Sequence, residues 1–214
     1  MSTTPAKNIQ ESIVYLVDDD EAVRDSMLWL LEANGFQVRA FASAEDFLEM
    51  LQNGPGARPV SCLILDVRMP GMSGLELHEE LLRGGIDIPL IFITGHGDVP
   101  MAVASMKKGA VDFLEKPFND VQLCALVQQC LDRASERLET QAEGRDAAER
   151  LERLTAREKQ VLDLIVAGRL NKQIADDLSI SIKTVEAHRA NIMDKLGART
   201  MADLMKTALK ASGG

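Results

Sequence analysis

The 214-residue chain has 46% hydrophobic residues and carries 33 Asp and Glu against 24 Lys and Arg, a formal net charge of −9. This is enough apolar material for two ordinary domains, whereas residues 1–11 are polar and no run approaches the roughly eighteen apolar residues of a membrane span, so a cytoplasmic chain without a membrane partner is expected. The acidity is uneven: residues 1–132 hold 9 Lys and Arg against 20 Asp and Glu, residues 133–214 hold 15 against 13, which predicts halves with different partners.

In chain order, the run "IVYLV" from Ile13 predicts a buried strand, and it ends on Asp18, Asp19 and Asp20. Strand-like runs "VRAFA", "VSCLIL", "PLIFI" and "VDFLE" follow, and between the five lie the helical patterns "EAVRDSMLWLLEANG", "AEDFLEMLQNG", "GLELHEELLRGG" and "VPMAVASMKKG". Such alternation predicts an α/β fold with a five-stranded parallel doubly wound sheet and right-handed crossovers. Gly35, Gly54, Gly84 and Gly109 stand just past the helical patterns, where a left-handed residue ends a helix. In open sheets of this kind ligands sit beyond the carboxyl ends of the strands, where Asp18 to Asp20, Asp66, Thr94 and Lys116 all fall. Cys62, Cys124 and Cys130 lack metal-ligand spacing and read as reduced core or helix residues.

Residues 123–131 read as the last helix of this first domain, expected over 12–131. The segment 132–153, "DRASERLETQAEGRDAAERLER", is rich in Ala, Glu and Arg and predicts a helical linker with Gly144 as its weak point. Leu131 and Leu138 make only one heptad pair, so a solvated spacer is favoured over a dimeric coiled coil. Over 154–211 only helices fit: "LTAREKQVLDLIVAG", "NKQIADDL", "SIKTVEAHRANIMDKLG" and "TMADLMKTAL" predict an all-α four-helix domain, with Thr155, Asn171 and Ser181 as N-caps and Gly168 and Gly197 as stops.

Carboxylates of Asp19 and Asp66 at neighbouring strand ends would repel unless a cation lay between them. Magnesium suits such a site because it takes one or two carboxylates and fills its shell with water and phosphate oxygens. The Lys116 ammonium and the Thr94 hydroxyl could bond further phosphoryl oxygens. Each residue alone has a plainer reading as a cap, a surface charge or a core residue, and it is all four occurring in order that overturns it. Asp20 is read as a helix cap or solvated neighbour, and His96 as a loop residue beside the pocket.

In order and spacing, "VYLVDDD", "LILDVRMPGMSG", "FITGHGD" and "DFLEKPF" resemble the signature stretches of the receiver domain of two-component response regulators. The resemblance implies Asp66 as phosphoacceptor, an acidic pocket of Asp18 and Asp19 with Asp19 as the direct metal ligand of the two, and the Arg68 backbone carbonyl completing a Mg2+ site. It further implies Thr94 as switch hydroxyl, Phe113 as switch aromatic, and Lys116 joined to Pro117 by a cis peptide. The family's dimer surface would comprise a helix over 99–108 and a strand over 111–115, with Val103 and Lys107 as contacts. The second half resembles the LuxR-type helix-turn-helix, and together the halves are similar to the FixJ and NarL class of transcription regulators.

On the recognition helix Val185, Ile192 and Leu196 form an inward stripe, leaving Lys183, Glu186, Ala187, Ala190 and Asp194 on the opposite face. Glu186 could accept from a cytosine amino group and Ala187 or Ala190 could meet a thymine methyl. Lys172, Lys183, Thr184, Arg189 and Lys195 are candidate phosphate contacts, and His188 is a packing or phosphate-proximal residue. The expected partners are a sensor histidine kinase, double-stranded promoter DNA, a second copy when phosphorylated, and RNA polymerase. The Asp66 chemistry is that of a stoichiometric phosphoacceptor with intrinsic autodephosphorylation, not of an enzyme. Two rivals stand beside this reading. A haloacid-dehalogenase-like phosphatase would use Asp18 and Asp20 as its pair, although Ala22 stands where that motif wants Thr or Val. An orphan regulator would act without phosphorylation, against which the intact pocket argues.

Overall fold

A computed structural model describes residues 12–53, 60–95 and 112–212, and the chain divides into two compact units, Met1–Arg137 and Leu138–Gly214. The first contains β1 (Ile13–Val17), α1 (Glu21–Ala33), β2 (Val38–Phe41), α2 (Ala44–Asn53), β3 (Ser61–Asp66), α3 (Gly74–Arg83), β4 (Leu90–Thr94) and β5 (Asp112–Glu115). The helix α4 (Asp120–Glu152) closes this unit and continues into the second. The strands pair in the order β2-β1-β3-β4-β5, every pair parallel, as the alternation of runs predicts. The helix expected over 99–108, with Val103 and Lys107, lies outside the described residues, as do Gly54, His96 and Gly109.

Side-chain alternation divides the core into two layers. Val14, Leu16, Cys62, Ile64, Ile91, Ile93 and Leu114 meet Met27 and Leu31 of α1 and Leu123, Val127 and Cys130 of α4. On the other face Tyr15, Val17, Leu63, Leu65, Leu90 and Phe92 meet Ala44, Phe47 and Leu51 of α2 and Leu77 and Leu81 of α3. The central strands β3 and β4 are buried throughout, which is why they read as continuous apolar runs. None of the three cysteines is in a disulfide, and burial pushes the Cys62 thiol well up, with the Cys130 thiol beside it adding to the effect. Helix α1 ends before Gly35 at φ +87. After α3, however, Gly84 has φ −77 and the left-handed residue is Gly85, one position later than expected.

The second unit holds the end of α4 and then α5 (Ala156–Val166), α6 (Asn171–Leu178), α7 (Ile182–Leu196) and α8 (Met201–Ser212), packed around Leu154, Val161, Ile165, Ile174, Val185, Ile192, Leu196 and Leu204. The segment expected as a separate linker is one helix with residues 120–131, and Gly144 does not interrupt it. One glycine costs a helix only about 1 kcal/mol, and here contacts offset it: Ala147 is buried, Leu151 packs on the second core, and Glu143 pairs with Lys210. Beyond Glu143 the segment is therefore more than a solvated spacer. Thr155 and Ser181 cap α5 and α7 as expected, and Gly168 and Gly197 take positive φ just past α5 and α7. Asn171 is the first residue of α6 and not its cap. Leu170 precedes it without an acceptor of its own, and the Gln173 side chain accepts from the Leu170 N–H at 2.9 Å.

Two local features generate measurable expectations. Ser179, in the turn between α6 and α7, is held at φ 53, ψ 47, a left-handed conformation that costs a non-glycine residue about 1–2 kcal/mol. Ser179→Gly should therefore raise the unfolding free energy of the second unit by up to about 1 kcal/mol, seen as a higher urea midpoint, after the glycine's larger unfolded-state entropy is set against the relief. Glu158 is buried at the start of α5, and the Lys195 ammonium, with the Thr155 backbone N–H next, lowers its carboxyl from 4.5 to about 2. Its stabilisation is present above pH 4.5 and is lost as the pH falls towards 2. Glu158→Gln should unfold at lower urea than wild type at pH 7, and the two midpoints, followed by far-UV circular dichroism, should converge in that acidic window.

Candidate functional site

Sheet register builds the pocket. Val17 pairs with Leu65, so the next residues, Asp18 and Asp66, leave neighbouring strands side by side, and both share the strand face that packs on α1 and α4. Lys116 follows β5 in the same parity as the inward Leu114. Its Nζ lies 2.8 Å from Asp18 Oδ2 and 2.7 Å from Asp66 Oδ1. The cation between the two carboxylates is thus the chain's own ammonium, and Asp18, rather than Asp19, is the carboxylate that shares it with Asp66. Asp18 and Asp66 are both buried. Burial raises the Asp66 carboxyl above its ordinary value while the Lys116 hydrogen bond and charge oppose that rise. Lys116 is lowered by burial but raised more strongly by Asp18 and Asp66 together, so its net shift is upward.

The remaining bonds orient these carboxylates. Asp18 Oδ1 accepts from the Asp20 N–H at 3.0 Å, and Arg24 Nη1 donates to the Asp18 carbonyl at 2.8 Å. Asp66 Oδ2 accepts from the Arg68 N–H at 2.7 Å, which bends the chain back after β3. Both Asp18 oxygens are thereby occupied, whereas the Asp19 carboxylate is exposed and bonds no described residue. Asp20 is the N-cap of α1, accepting from the Ala22 and Val23 N–H groups. That role takes it out of the pocket and with it the phosphatase reading, which needs Asp20 inside. Gly74, at the start of α3, approaches so closely that a Cβ there would stand 2.1 Å from the Asp66 carbonyl; the glycine is what lets α3 begin against the Asp66 peptide. Neither Arg24 nor Gly74 stands out in the sequence as a pocket residue, since only their neighbours in space give them a role.

Thr94 ends β4, buried, and its hydroxyl donates to the Gly95 carbonyl at 3.2 Å. Its own carbonyl accepts from the Lys116 N–H at 2.7 Å, which ties the two strand ends together. Phe113 is half-buried against the face that packs on α2 and α3, and the Lys116–Pro117 peptide is cis. Among the described residues no buried side-chain nitrogen or oxygen lacks a hydrogen-bond partner, as expected for a fully wired polar site.

In the second unit Val185, Ile192 and Leu196 are buried and Lys183, Glu186, Ala187, Ala190 and Asp194 are exposed. Lys172 is exposed on α6, Arg189 and His188 are half-buried, and Thr184 shares a 2.8 Å hydroxyl contact with Ser181. Lys195 differs from the other cations, for its Nζ lies 2.7 Å from the buried Glu158 carboxylate. The Arg157 guanidinium donates to the Leu178 carbonyl at 2.6 Å, holding the end of α6 to α5. No helix of the described residues is long and apolar enough to cross a membrane.

The family model of the response regulator receiver domain matches residues 14–128, and that of bacterial regulatory proteins of the luxR family matches residues 152–208. A transcriptional regulatory protein FixJ of Rhizobium meliloti (strain 1021) is 48% identical over 205 residues, covering 94% of this chain and 97% of the relative. Another FixJ, of Bradyrhizobium diazoefficiens, is 42% identical across 92% of this chain and 95% of its own length. Among solved structures, response regulator StyR shares 44% identity with a TM-score of 0.79 over 94% of this chain and 99% of that one. Full-length FixJ from B. japonicum gives 40% identity and a TM-score of 0.57 over 94% and 98%. With both halves matched and relatives aligned along nearly their whole length, the chain belongs to the response regulators that join a receiver domain to a LuxR-type helix-turn-helix, and it is a phosphorylation-dependent DNA-binding transcription regulator of a two-component system, not a classical enzyme.

Proposed function

We propose that Asp66 is the phosphoacceptor, supplied by a partner sensor histidine kinase in the cytoplasm, and that the observation carrying this assignment is the Lys116 ammonium bonded at once to Asp18 and Asp66. An Asp66 oxygen forms the new bond to phosphorus as the bond to the donor breaks. Lys116, already within bonding distance of that carboxylate, then pairs with a phosphoryl oxygen, and the Thr94 hydroxyl can turn to bond another. The donor set fits magnesium. Among the described residues no three His, Cys, Asp or Glu side chains cluster to hold a metal, so a cation here would take Asp19 and Asp66, the Arg68 carbonyl, and water or phosphate, with Asp18 in support, as magnesium prefers. When bound, Mg2+ would offset charge on the phosphoryl oxygens. The role is stoichiometric, with intrinsic autodephosphorylation as its only turnover.

The exposed face of α7 is the surface for the major groove of double-stranded promoter DNA. Glu186, Ala187 and Ala190 are placed to read base edges, and Lys172, Lys183, Thr184 and Arg189 to meet phosphates. Phosphorylation favours a homodimer by its differential interaction with two receiver states, and a dimer brings two α7 helices to neighbouring half-sites, so two weak contacts act as one. The dimer residues proposed by family resemblance, Val103 and Lys107, lie outside the described residues, and RNA polymerase is the further partner of the assembled promoter complex.

Two experiments test this. Incubated with acetyl phosphate and magnesium, wild type should become labelled and sediment as a dimer; Asp66→Asn should take up no acid-stable label, and Asp19→Ala should need more magnesium for the same labelling. Label on Asp66→Asn equal to wild type would remove the assignment. On DNA, Glu186→Ala should relax preference at one base position, whereas Lys172→Ala should weaken all sequences alike and reduce the slope of log K against log salt by about one. Unchanged preference and slope in both would show that α7 docks some other way.

A further inference from the structure

Lys195 is the one candidate phosphate contact whose charge the structure has already paired. Its Nζ lies 2.7 Å from Glu158 Oε2, with the Glu158 side chain 4% exposed and that of Lys195 34%. The same oxygen accepts from the Thr155 N–H at 2.8 Å and from the Thr155 hydroxyl at 3.0 Å, so the carboxylate is fixed on the first turn of α5 and cannot follow Lys195 outward. Were Lys195 to swing to a phosphate, Glu158 would be left ionised, buried and without a counter-charge, a strongly unfavourable state. One residue further on, Arg150 of α4, paired with Asp146, donates to the Leu196 carbonyl at 3.1 Å. The last turn of α7 is therefore held twice, from α5 through Lys195 and from α4 through Leu196.

We propose that Glu158 and Lys195 form a clamp that sets the pose of α7 for base reading, which makes them positioning residues of DNA recognition and takes Lys195 out of the phosphate-contacting set. The inference rests on α7 being the base-reading helix. Base-edge contacts demand placement within about 0.5 Å and 10–20°, and Glu186, Ala187 and Ala190 lie on the same rigid helix as the clamped turn. A small shift of the helix therefore degrades sequence discrimination, while long, flexible lysines still reach the backbone.

The two roles of Lys195 predict opposite outcomes. The test is equilibrium binding of the full-length, acetyl-phosphate-treated protein to its selected site and to random duplex DNA across a salt series. If the clamp positions α7, Glu158→Gln and Lys195→Met should each lower the ratio of selected to random affinity by roughly tenfold, the size of a coupling between contacting residues. Both should leave the salt slope at the wild-type value, the double variant should be no worse than either single one, and Lys195→Arg, whose guanidinium can still reach Glu158, should restore the ratio. If Lys195 instead contacts a phosphate, Lys195→Met flattens the slope by about one on both DNAs, and Glu158→Gln, by freeing the ammonium, tightens both; that pattern overturns the proposal, as does an unchanged ratio in both variants. Should Lys195→Met fail to fold, Lys195→Gln, which keeps a donor for Glu158, carries the slope measurement. Glu186→Ala and Lys172→Ala run in parallel: if neither changes preference or slope, the base-reading helix is misassigned and the clamp proposal falls with it, whereas their expected effects beside unaltered clamp variants would overturn the clamp alone.

Discussion

The receiver unit turns on one ammonium placed between two buried carboxylates. Asp18 and Asp66 come together because parallel pairing of β1 and β3 aligns the residues after Val17 and Leu65. In a low-dielectric setting two such anions are tolerated only with a counter-charge, since the effective penalty for burying a lone ion is on the order of several kcal/mol. Lys116, at 2.8 and 2.7 Å from them, supplies it. The rest of the unit can be read as what brings Lys116 there: β5 pairs with β4, the Lys116 N–H bonds the Thr94 carbonyl, and Leu114 anchors the strand in the core. The site is electrostatically poised, because burial raises the Asp66 carboxyl while Lys116 holds it down.

A second buried ion pair organises the DNA-binding unit by similar physics. Glu158 both closes the capping box of α5 and bonds Lys195 on α7, so a single side chain ends one helix and anchors another. Arg150 and Arg157 add donors to the final carbonyls of α7 and α6, where the helix dipole favours a cation. The acidic first half and slightly basic second half match the receiver domain and the DNA-binding domain respectively. The modest net basicity of the second half makes bulk charge a weak source of discrimination, so if α7 reads bases as proposed, its geometry and the hold on its last turn carry more of it.

Much of the fold was legible in the sequence. Strand runs buried on both faces and helices of clear period announced the doubly wound sheet, and Thr155, Ser181, Gly168 and Gly197 announced helix ends, because these signals are local and depend on backbone chemistry within a few residues. Where neighbouring signals competed, position slipped by one: Gly85 rather than Gly84 took the left-handed turn, and Leu170 rather than Asn171 preceded α6. At Gly144, the expected weak point of a helical segment, the helix runs on, since a local propensity of about 1 kcal/mol yields to the packing of Ala147 and Leu151 and the pairing of Glu143 with Lys210.

For the functional residues, the sequence by itself determined which side chains stand at strand ends and which face of α7 is polar, since periods of 2 and 3.6 carry that information. Only the tertiary structure decided the partners. It placed Asp18, not Asp19, beside Asp66 on Lys116, spent Asp20 as the α1 cap, brought Gly74 against the Asp66 peptide, and committed Lys195 to Glu158. The two residues of the pocket pair are separated by 98 and 50 positions from their shared lysine, and Glu158 by 37 from its own. Such contacts follow from how sheets and helices close on one another, and no local pattern encodes which of several adjacent charges will be turned inward.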